Sequence, residues 1–267
     1  MKLTKYEGAL FVEPATLEAP EGTVLAFTTR VGGVSLPPHD SLNLSYEAGD
    51  DAKLVRENWT RTRRSLGLAD MAIRELSQVH GIEAFHLTSF EQGHLIHGED
   101  ACQLGPADAL VTALAGMPCA LRYADCAPIA LYSKKSKAMG LVHAGWRGTA
   151  TGVVASAVMA MALAFGVTPG ELQAFIFPHI RKCCFLVRED ALREFSHSFP
   201  GPSEVIEQAS EAQWTIDLEA ANRHWLTELG VTRIETSDLC TCCRDDLFFS
   251  YRRDGMRGCM RLIGQLV

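Results

Sequence analysis

The chain has no surplus of positive charge. Its 25 Lys and Arg face 32 Asp and Glu over 267 residues, a net charge of −7. A nucleic-acid binder needs a basic footprint to meet phosphates, so nucleic acid is not an expected partner. The local cluster Arg61, Arg63 and Arg64 suits the solvated face of a helix. Long apolar runs are missing too. Crossing a bilayer takes about 20 apolar residues, and the longest candidate, Val153 to Val167, is broken by Ser156. That run is expected to be a buried helix, and no membrane partner is expected. The N-terminal MKLTKYEGAL has no apolar core of the signal-peptide kind, so the expected compartment is the cytoplasm. Nine cysteines, an odd number, suit free or metal-binding thiols better than a disulfide framework. Repeats, low-complexity tracts and clear linkers are absent. The chain, 47% hydrophobic and 21% charged, is therefore expected to form one domain over residues 1–267.

What is present is a series of short apolar segments between polar islands. Strands are expected at Val24–Thr29, Glu75–Val79, Ala109–Thr112, Ala120–Tyr123, Pro128–Tyr132, Ala138–Val142 and Leu172–Phe177. Others are expected near Arg233–Thr236, Leu247–Tyr251 and Met260–Leu266. Helices are expected at Ala52–Leu66, Thr149–Phe165, Arg188–Ser196 and Leu218–Leu229, with Asp50 and Asp217 as N-caps. Strands in neighbouring runs with helices between them predict an α+β (mixed α/β) fold: mixed β-sheets covered by helices.

Three of the polar islands carry chemistry. AMGLVHAGWRGTA (138–150) ends an apolar strand with His143 and places Trp146 and Arg147 between Gly145 and Gly148. An ordinary strand-to-helix turn accounts for it. So does an anion site, in which unpaired N–H groups at the helix start and the Arg147 fork hold phosphate or carboxylate. RYADCAP (122–128) sets Cys126 beside Asp125 between two apolar strands. That thiol is either a buried inert side chain, a nucleophile or a metal ligand, with Asp125 as base or as support to a ligand. SQVHG (77–81) again closes a strand with a histidine, His80. A sheet can collect such ends at one edge, where three N/S donors and an open fourth position make a catalytic zinc site. The wide gaps between His80, Cys126 and His143 are no zinc signature by themselves. Cys240-Thr-Cys-Cys243 with Cys183-Cys184 can supply four thiolates, but a second CxxC of standard spacing is lacking.

Taken together, TTRVGGVS (28–35), SLNL (41–44), GDD (49–51), SQVHG, ADA (107–109), ADCAP, HAGWRG (143–148), CTC (240–242) and FFSYRRD (248–254) resemble the laccase-domain proteins. These are also called multicopper polyphenol oxidase-like or peptidoglycan editing factor proteins. The resemblance spans nearly the whole chain. It implies a layered α/β sandwich of mixed sheets and makes His80, Cys126 and His143 zinc ligands, with copper the alternative ion. It also implies purine nucleosides and phosphate as substrates. The reactions would be phosphorolysis of adenosine, inosine, guanosine or methylthioadenosine, and deamination of adenosine. Peptidoglycan-precursor editing by a cysteine amidohydrolase, and polyphenol oxidation, are the rival activities. Within this frame Arg147 is expected to hold phosphate, with Arg30 as a second candidate. Asn43 is expected to bind the nucleoside, and Asp125 to orient a ligand or shuttle protons. A monomer or homodimer is expected. Two departures stand out: Leu186 stands where the family carries glutamate, and Gly258-Cys-Met-Arg261 replaces a Gly-Arg pattern.

Overall fold

The structure, a computed structural model, describes residues 1–97 and 100–267. In chain order the strands are β1 (Lys2–Tyr6), β2 (Ala9–Glu13), β3 (Val24–Thr28), β4 (Ile73–Ser77), β5 (Ala84–Leu87) and β6 (His94–Ile96). Next come β7 (Ala101–Pro106), β8 (Ala109–Thr112), β9 (Cys119–Tyr123), β10 (Ala127–Ser133), β11 (Ala138–Ala144) and β12 (Leu172–Ile176). The last five are β13 (Leu186–Val187), β14 (Ile206–Ser210), β15 (Gln213–Ile216), β16 (Arg233–Thr236) and β17 (Met260–Gln265). The helices are α1 (Ala52–Leu66), α2 (Trp146–Thr151), α3 (Val153–Phe165), α4 (Glu189–Ser198), α5 (Leu218–Glu228) and the single turn α6 (Tyr251–Asp254).

Two large mixed sheets face each other. One runs β1-β2-β3-β17-β9-β4-β7-β6 and the other β16-β12-β10-β11-β8-β5; β13-β15-β14 form a small third sheet. Alternation along each strand divides the core into layers. Leu121 and Leu262 meet Ala130, Tyr132, Leu141 and Phe175 between the two sheets. Their neighbours Ala120 and Ile263 turn outward to Val55 and Trp59 of α1. On the other side Ile129, Leu131 and Val142 pack against Val154, Val158 and Met161 of α3. The order is helix, sheet, sheet, helix. Among the described residues no helix is long and apolar enough to cross a membrane.

Helix α1 matches its expected bounds, and Asp217 accepts from Ala220 N at 3.0 Å as the expected N-cap of α5. Three expectations need correction. The N-cap of α1 is Asp51, which accepts from Lys53 N at 2.8 Å, whereas Asp50 accepts from Ser35 Oγ and Asn43 Nδ2. The helix expected over Thr149–Phe165 begins at Trp146 and breaks at Gly152, whose φ of 90° ends α2 and opens α3. Leu247–Tyr251 is not a strand. Phe248 and Phe249 are buried in the core without a ladder, and Ser250 caps α6 instead.

Candidate active site

Each side chain of the site is delivered by a turn that another residue holds shut. His80 follows β4 with φ of 60°, a left-handed backbone that costs a non-glycine residue about 1 kcal/mol or more. The buried Asp108 carboxylate offsets that cost. It accepts from Val79 N (3.1 Å), His80 N (3.0 Å) and Gly81 N (2.7 Å), closing the turn around one anion. The same carboxylate accepts from His143 Nδ1 at 2.7 Å, which leaves Nε2 of His143 as the free ring nitrogen. Cys126 lies on the turn between β9 and β10. The preceding Asp125 has φ of 93° and is pinned by Thr241 Oγ1 (2.6 Å), Ser250 Oγ (3.0 Å) and Arg252 N (2.7 Å).

These turns converge. The donor atoms of His80, Cys126 and His143 all lie within 4.8 Å of one another, and Cys126 Sγ is 4.0 Å from His80 Nε2. The two imidazoles meet edge to face at 4.9 Å. Gly145 makes the approach possible: a Cβ there would sit 2.9 Å from the His80 ring and 3.3 Å from the Cys126 sulfur. Burial acts to raise the Cys126 thiol, but the charge of His143 and hydrogen bonds from His143 and His80 bring it down to about 6. Burial acts to lower His143, but the Cys126 thiolate and Asp108 push it up to about 9. The three groups can therefore act as a metal-ligand set, or as a thiolate–imidazolium pair backed by a carboxylate.

The cluster forms the floor of a cavity of about 520 Å³, whose wall includes Glu47, Gln78, Arg122, Tyr251 and Met256. Arg122 pairs with Glu47 at 3.1 Å. Burial acts to raise the Glu47 carboxyl, but Arg122, the Ser45 hydroxyl and Arg261 outweigh it and hold Glu47 below the usual range. Gln78 ties the ends of β4 and β9 together, donating to Arg122 O at 2.9 Å and accepting from Arg122 N at 2.8 Å. A larger, more open groove of about 630 Å³ at Arg63, Asp70 and Asp100 has neither histidine nor cysteine in its wall.

Other expected site residues fall elsewhere. The Arg147 guanidinium carbon sits over the Trp146 ring, 4.1 Å from its centroid, and the side chain pairs with Glu194 of α4 at 2.8 Å, away from the cavity wall. Its helix start faces the ligands through Gly145, while its side chain leaves on the outer face. Arg30 is bound by Asp40 O (2.7 Å) and Asp245 O (3.1 Å) on a different surface groove. Asn43 is fully buried: its amide holds Ser45 O and Asp50, and its oxygen accepts from Ser45 N and Cys259 N. It shapes the loop behind the cavity instead of lining it. Asp125 precedes Cys126, and its carboxylate is taken up by Thr241, Ser250 and Arg252 N. Arg122 lines the cavity and Asp108 stands behind His143, and neither was among the expected site residues. Both stand in the quoted motifs, Arg122 opening RYADCAP and Asp108 inside ADA.

The four thiols Cys183, Cys184, Cys240 and Cys243 also assemble, all four sulfurs within 4.8 Å of one another. They lie apart from the cavity wall.

Residues 24–265 match the family described as multi-copper polyphenol oxidoreductase laccase. The chain belongs to that family. It is 34% identical to a purine nucleoside phosphorylase YlmD of Geobacillus stearothermophilus, over 87% of this chain and 86% of the relative. It is 34% identical to the purine nucleoside phosphorylase ORF3 of Streptomyces griseus, over 96% and 98%. With the purine nucleoside phosphorylase YfiH of Escherichia coli the identity is 33%, over 90% and 93%. The crystal structure of YlmD from Geobacillus stearothermophilus superposes with a TM-score of 0.86 at 30% identity, covering 98% of this chain and 97% of that one. That of the Neisseria meningitidis protein NMB0706 gives 0.79 at 31%, covering 97% and 98%. The layered mixed α/β fold is therefore the fold of the family.

Proposed function

We propose that the chain is a zinc-dependent purine nucleoside enzyme, acting as one domain. It would split adenosine, inosine, guanosine and methylthioadenosine with phosphate, and deaminate adenosine to inosine. The observation that carries this reading is the convergence of His80, Cys126 and His143 on the floor of a 520 Å³ cavity. The names of the relatives supply the substrate class.

The donor set fits zinc. Two imidazoles and a thiolate are a three-ligand catalytic set with one side open to the cavity, and Asp108 fixes the His143 tautomer from behind. A multicopper centre needs many more histidines: this cluster offers two, and the other donor cluster among the described residues offers none. Bound zinc would supply Lewis acidity at the reacting atom. The remaining work falls to the chain. Arg122 is the cation of the cavity wall and would hold phosphate in the place first expected of Arg147. Ionised Glu47 beside it would accept from ribose hydroxyls, and Tyr251 and Met256 would cover the base. In phosphorolysis a phosphate oxygen bonds to C1′ as the C1′–N bond breaks, and the purine leaves with the electron pair and takes a proton. In deamination water adds at C6 and ammonia leaves.

The deciding experiment incubates zinc-loaded protein with adenosine, with and without phosphate, and separates adenine, inosine and hypoxanthine by chromatography. Adenine that depends on phosphate supports phosphorolysis, inosine supports deamination, and neither product removes the proposal. Arg122→Gln should raise KM for phosphate about tenfold or more while leaving deamination nearly unchanged. Equal loss of both reactions would move phosphate binding elsewhere. A second reading rests on the lowered Cys126 and raised His143 with Asp108 behind them: a thiolate nucleophile in a cysteine amidohydrolase editing peptidoglycan precursors. A zinc-bound thiolate is not a free nucleophile, so full amide-cleaving activity in zinc-free protein would favour this second reading.

A further inference from the structure

The second cluster of donors takes no part in the proposed chemistry, yet its construction is as definite as the first. His179 and Cys240 bridge in parallel, and Thr241 N donates to His179 O at 3.1 Å. A turn leaves each side of that bridge. One closes with Cys184 N and Phe185 N on Arg181 O, both at 2.9 Å, and presents Cys183 and Cys184. The other closes with Arg244 N on Cys240 O at 3.1 Å and presents Cys243 beside Cys240. Cys243 Sγ is then 3.6 Å from Cys183 Sγ and 3.4 Å from Cys184 Sγ.

Those separations discriminate between occupants. A disulfide needs sulfurs about 2.05 Å apart. Four sulfurs around a tetrahedral zinc, each about 2.3 Å from the ion, lie about 3.8 Å from one another. The cluster sits near the second value. Cys240 and Cys243 have the two-residue spacing common in structural zinc sites. Arg181 N approaches Cys240 Sγ at 3.5 Å, the kind of backbone donor that supports a thiolate ligand. We propose that Cys183, Cys184, Cys240 and Cys243 form a closed four-thiolate zinc site, separate from the open centre at His80, Cys126 and His143. Its work is to fix the wall of the cavity. Arg252 donates to Cys184 O (3.0 Å) and Leu186 O (2.9 Å), and Arg253 to Thr241 O (3.0 Å) and Cys242 O (2.9 Å). Both arginines follow Tyr251, and Thr241 Oγ1 holds the Asp125 turn that delivers Cys126.

The test keeps the two centres apart and needs no nucleoside chemistry. Cys126→Ser protein, which removes a ligand of the first centre only, should retain about one zinc per chain by elemental analysis. Adding Cys184→Ser and Cys243→Ser should reduce that to none. In the unmutated protein Cys183 and Cys243 are exposed, so thiol protection reports on the metal even where a variant folds poorly. Iodoacetamide mapped by mass spectrometry should modify both at least tenfold faster after chelation. Zinc-free Cys126→Ser protein, unchanged alkylation rates on chelation, or a two-hydrogen mass deficit placing a disulfide in the cluster would each overturn the proposal.

Discussion

The two donor clusters of this chain are built from different parts of the fold. His143 lies in a central strand, and His80 and Cys126 follow the ends of two others; a buried carboxylate and a hydrogen-bonded turn hold them in place. The cluster mixes nitrogen with sulfur and opens into a cavity. The cysteine cluster lies on two surface turns, uses sulfur alone, and has two of its four thiols exposed. An ion held by four protein ligands has no position left for a reactant, whereas one held by three has. Position and donor chemistry together thus separate a centre suited to reaction from one suited to holding loops.

That division is open to a double dissociation. Cys126→Ser should cost more than about a thousandfold in nucleoside turnover while Tm moves by only a few degrees, because the strands around it are packed without the ion. Turnover within tenfold of the unmutated protein would break the assignment of the reactive centre. Cys184→Ser with Cys243→Ser should do the reverse. We expect a loss of about 3 kcal/mol of stability, a Tm lower by roughly 6 °C or more, with kcat reduced only severalfold. Scanning calorimetry and steady-state kinetics on the same preparations decide it. A stable but inactive double variant would mean that the cysteine cluster belongs to the chemistry after all.

The sequence showed this division unevenly, for physical reasons. His80, Cys126 and His143 each stood out as a polar residue closing or interrupting an apolar strand, but it was the family resemblance that joined them into one ligand set. Asp108 carries the same kind of signal, a lone carboxylate just before the apolar run ALVT. Its partners, however, are backbone amides and a histidine on other strands, which no local pattern reveals. Arg147 was expected to hold an anion because a helix start and a basic side chain coincide. The helix begins there, but α4 supplies Glu194 on the opposite face and draws the side chain outward. The cysteine cluster was visible as one CxxC and a separate Cys-Cys pair, but nothing local joined them, since the His179–Cys240 bridge that aligns the two turns is a tertiary contact. In the fold, the central strands and α1 followed from periodicity. Strands such as β1, KLTKY, were missed because their mostly exposed faces carry little apolar alternation. Leu247–Tyr251 was misread because an apolar run can fill a core from a loop when its backbone finds other partners.

Asp108→Asn tests how far the reactive centre depends on support from behind. The amide keeps one acceptor for the turn but cannot stabilise a charged imidazole or fix the His143 tautomer as the carboxylate does. Metal affinity or activity should fall about 10- to 100-fold, measured by competition with a chelator and by kcat/KM, while zinc at the cysteine cluster is retained. An equal loss of metal from both clusters would mean that they are coupled, and the comparison would no longer hold.

The smallest expected effect lies away from both centres and shows whether acid acts on the fold or on the metals. Glu235 accepts from Ala15 N (2.9 Å) and Thr16 N (3.0 Å) and meets the Met1 amino group at 2.5 Å. Burial acts to raise its carboxyl, but the amino group, the Thr16 hydroxyl and the two amides bring it down to about 2. Because the folded value lies below the unfolded one, its stabilisation is present above about pH 4.5 and is lost as pH falls toward 2. Glu235→Gln should therefore cost about 1–2 kcal/mol at pH 7, and the difference in Tm from the unmutated protein should shrink between roughly pH 5 and pH 2. Zinc content at neutral pH should be unchanged. A gap in Tm that persists at pH 2 would assign the loss to packing and not to charge. Zinc lost from either cluster at neutral pH would show that the β1–β2 edge and the metal centres share one cooperative unit.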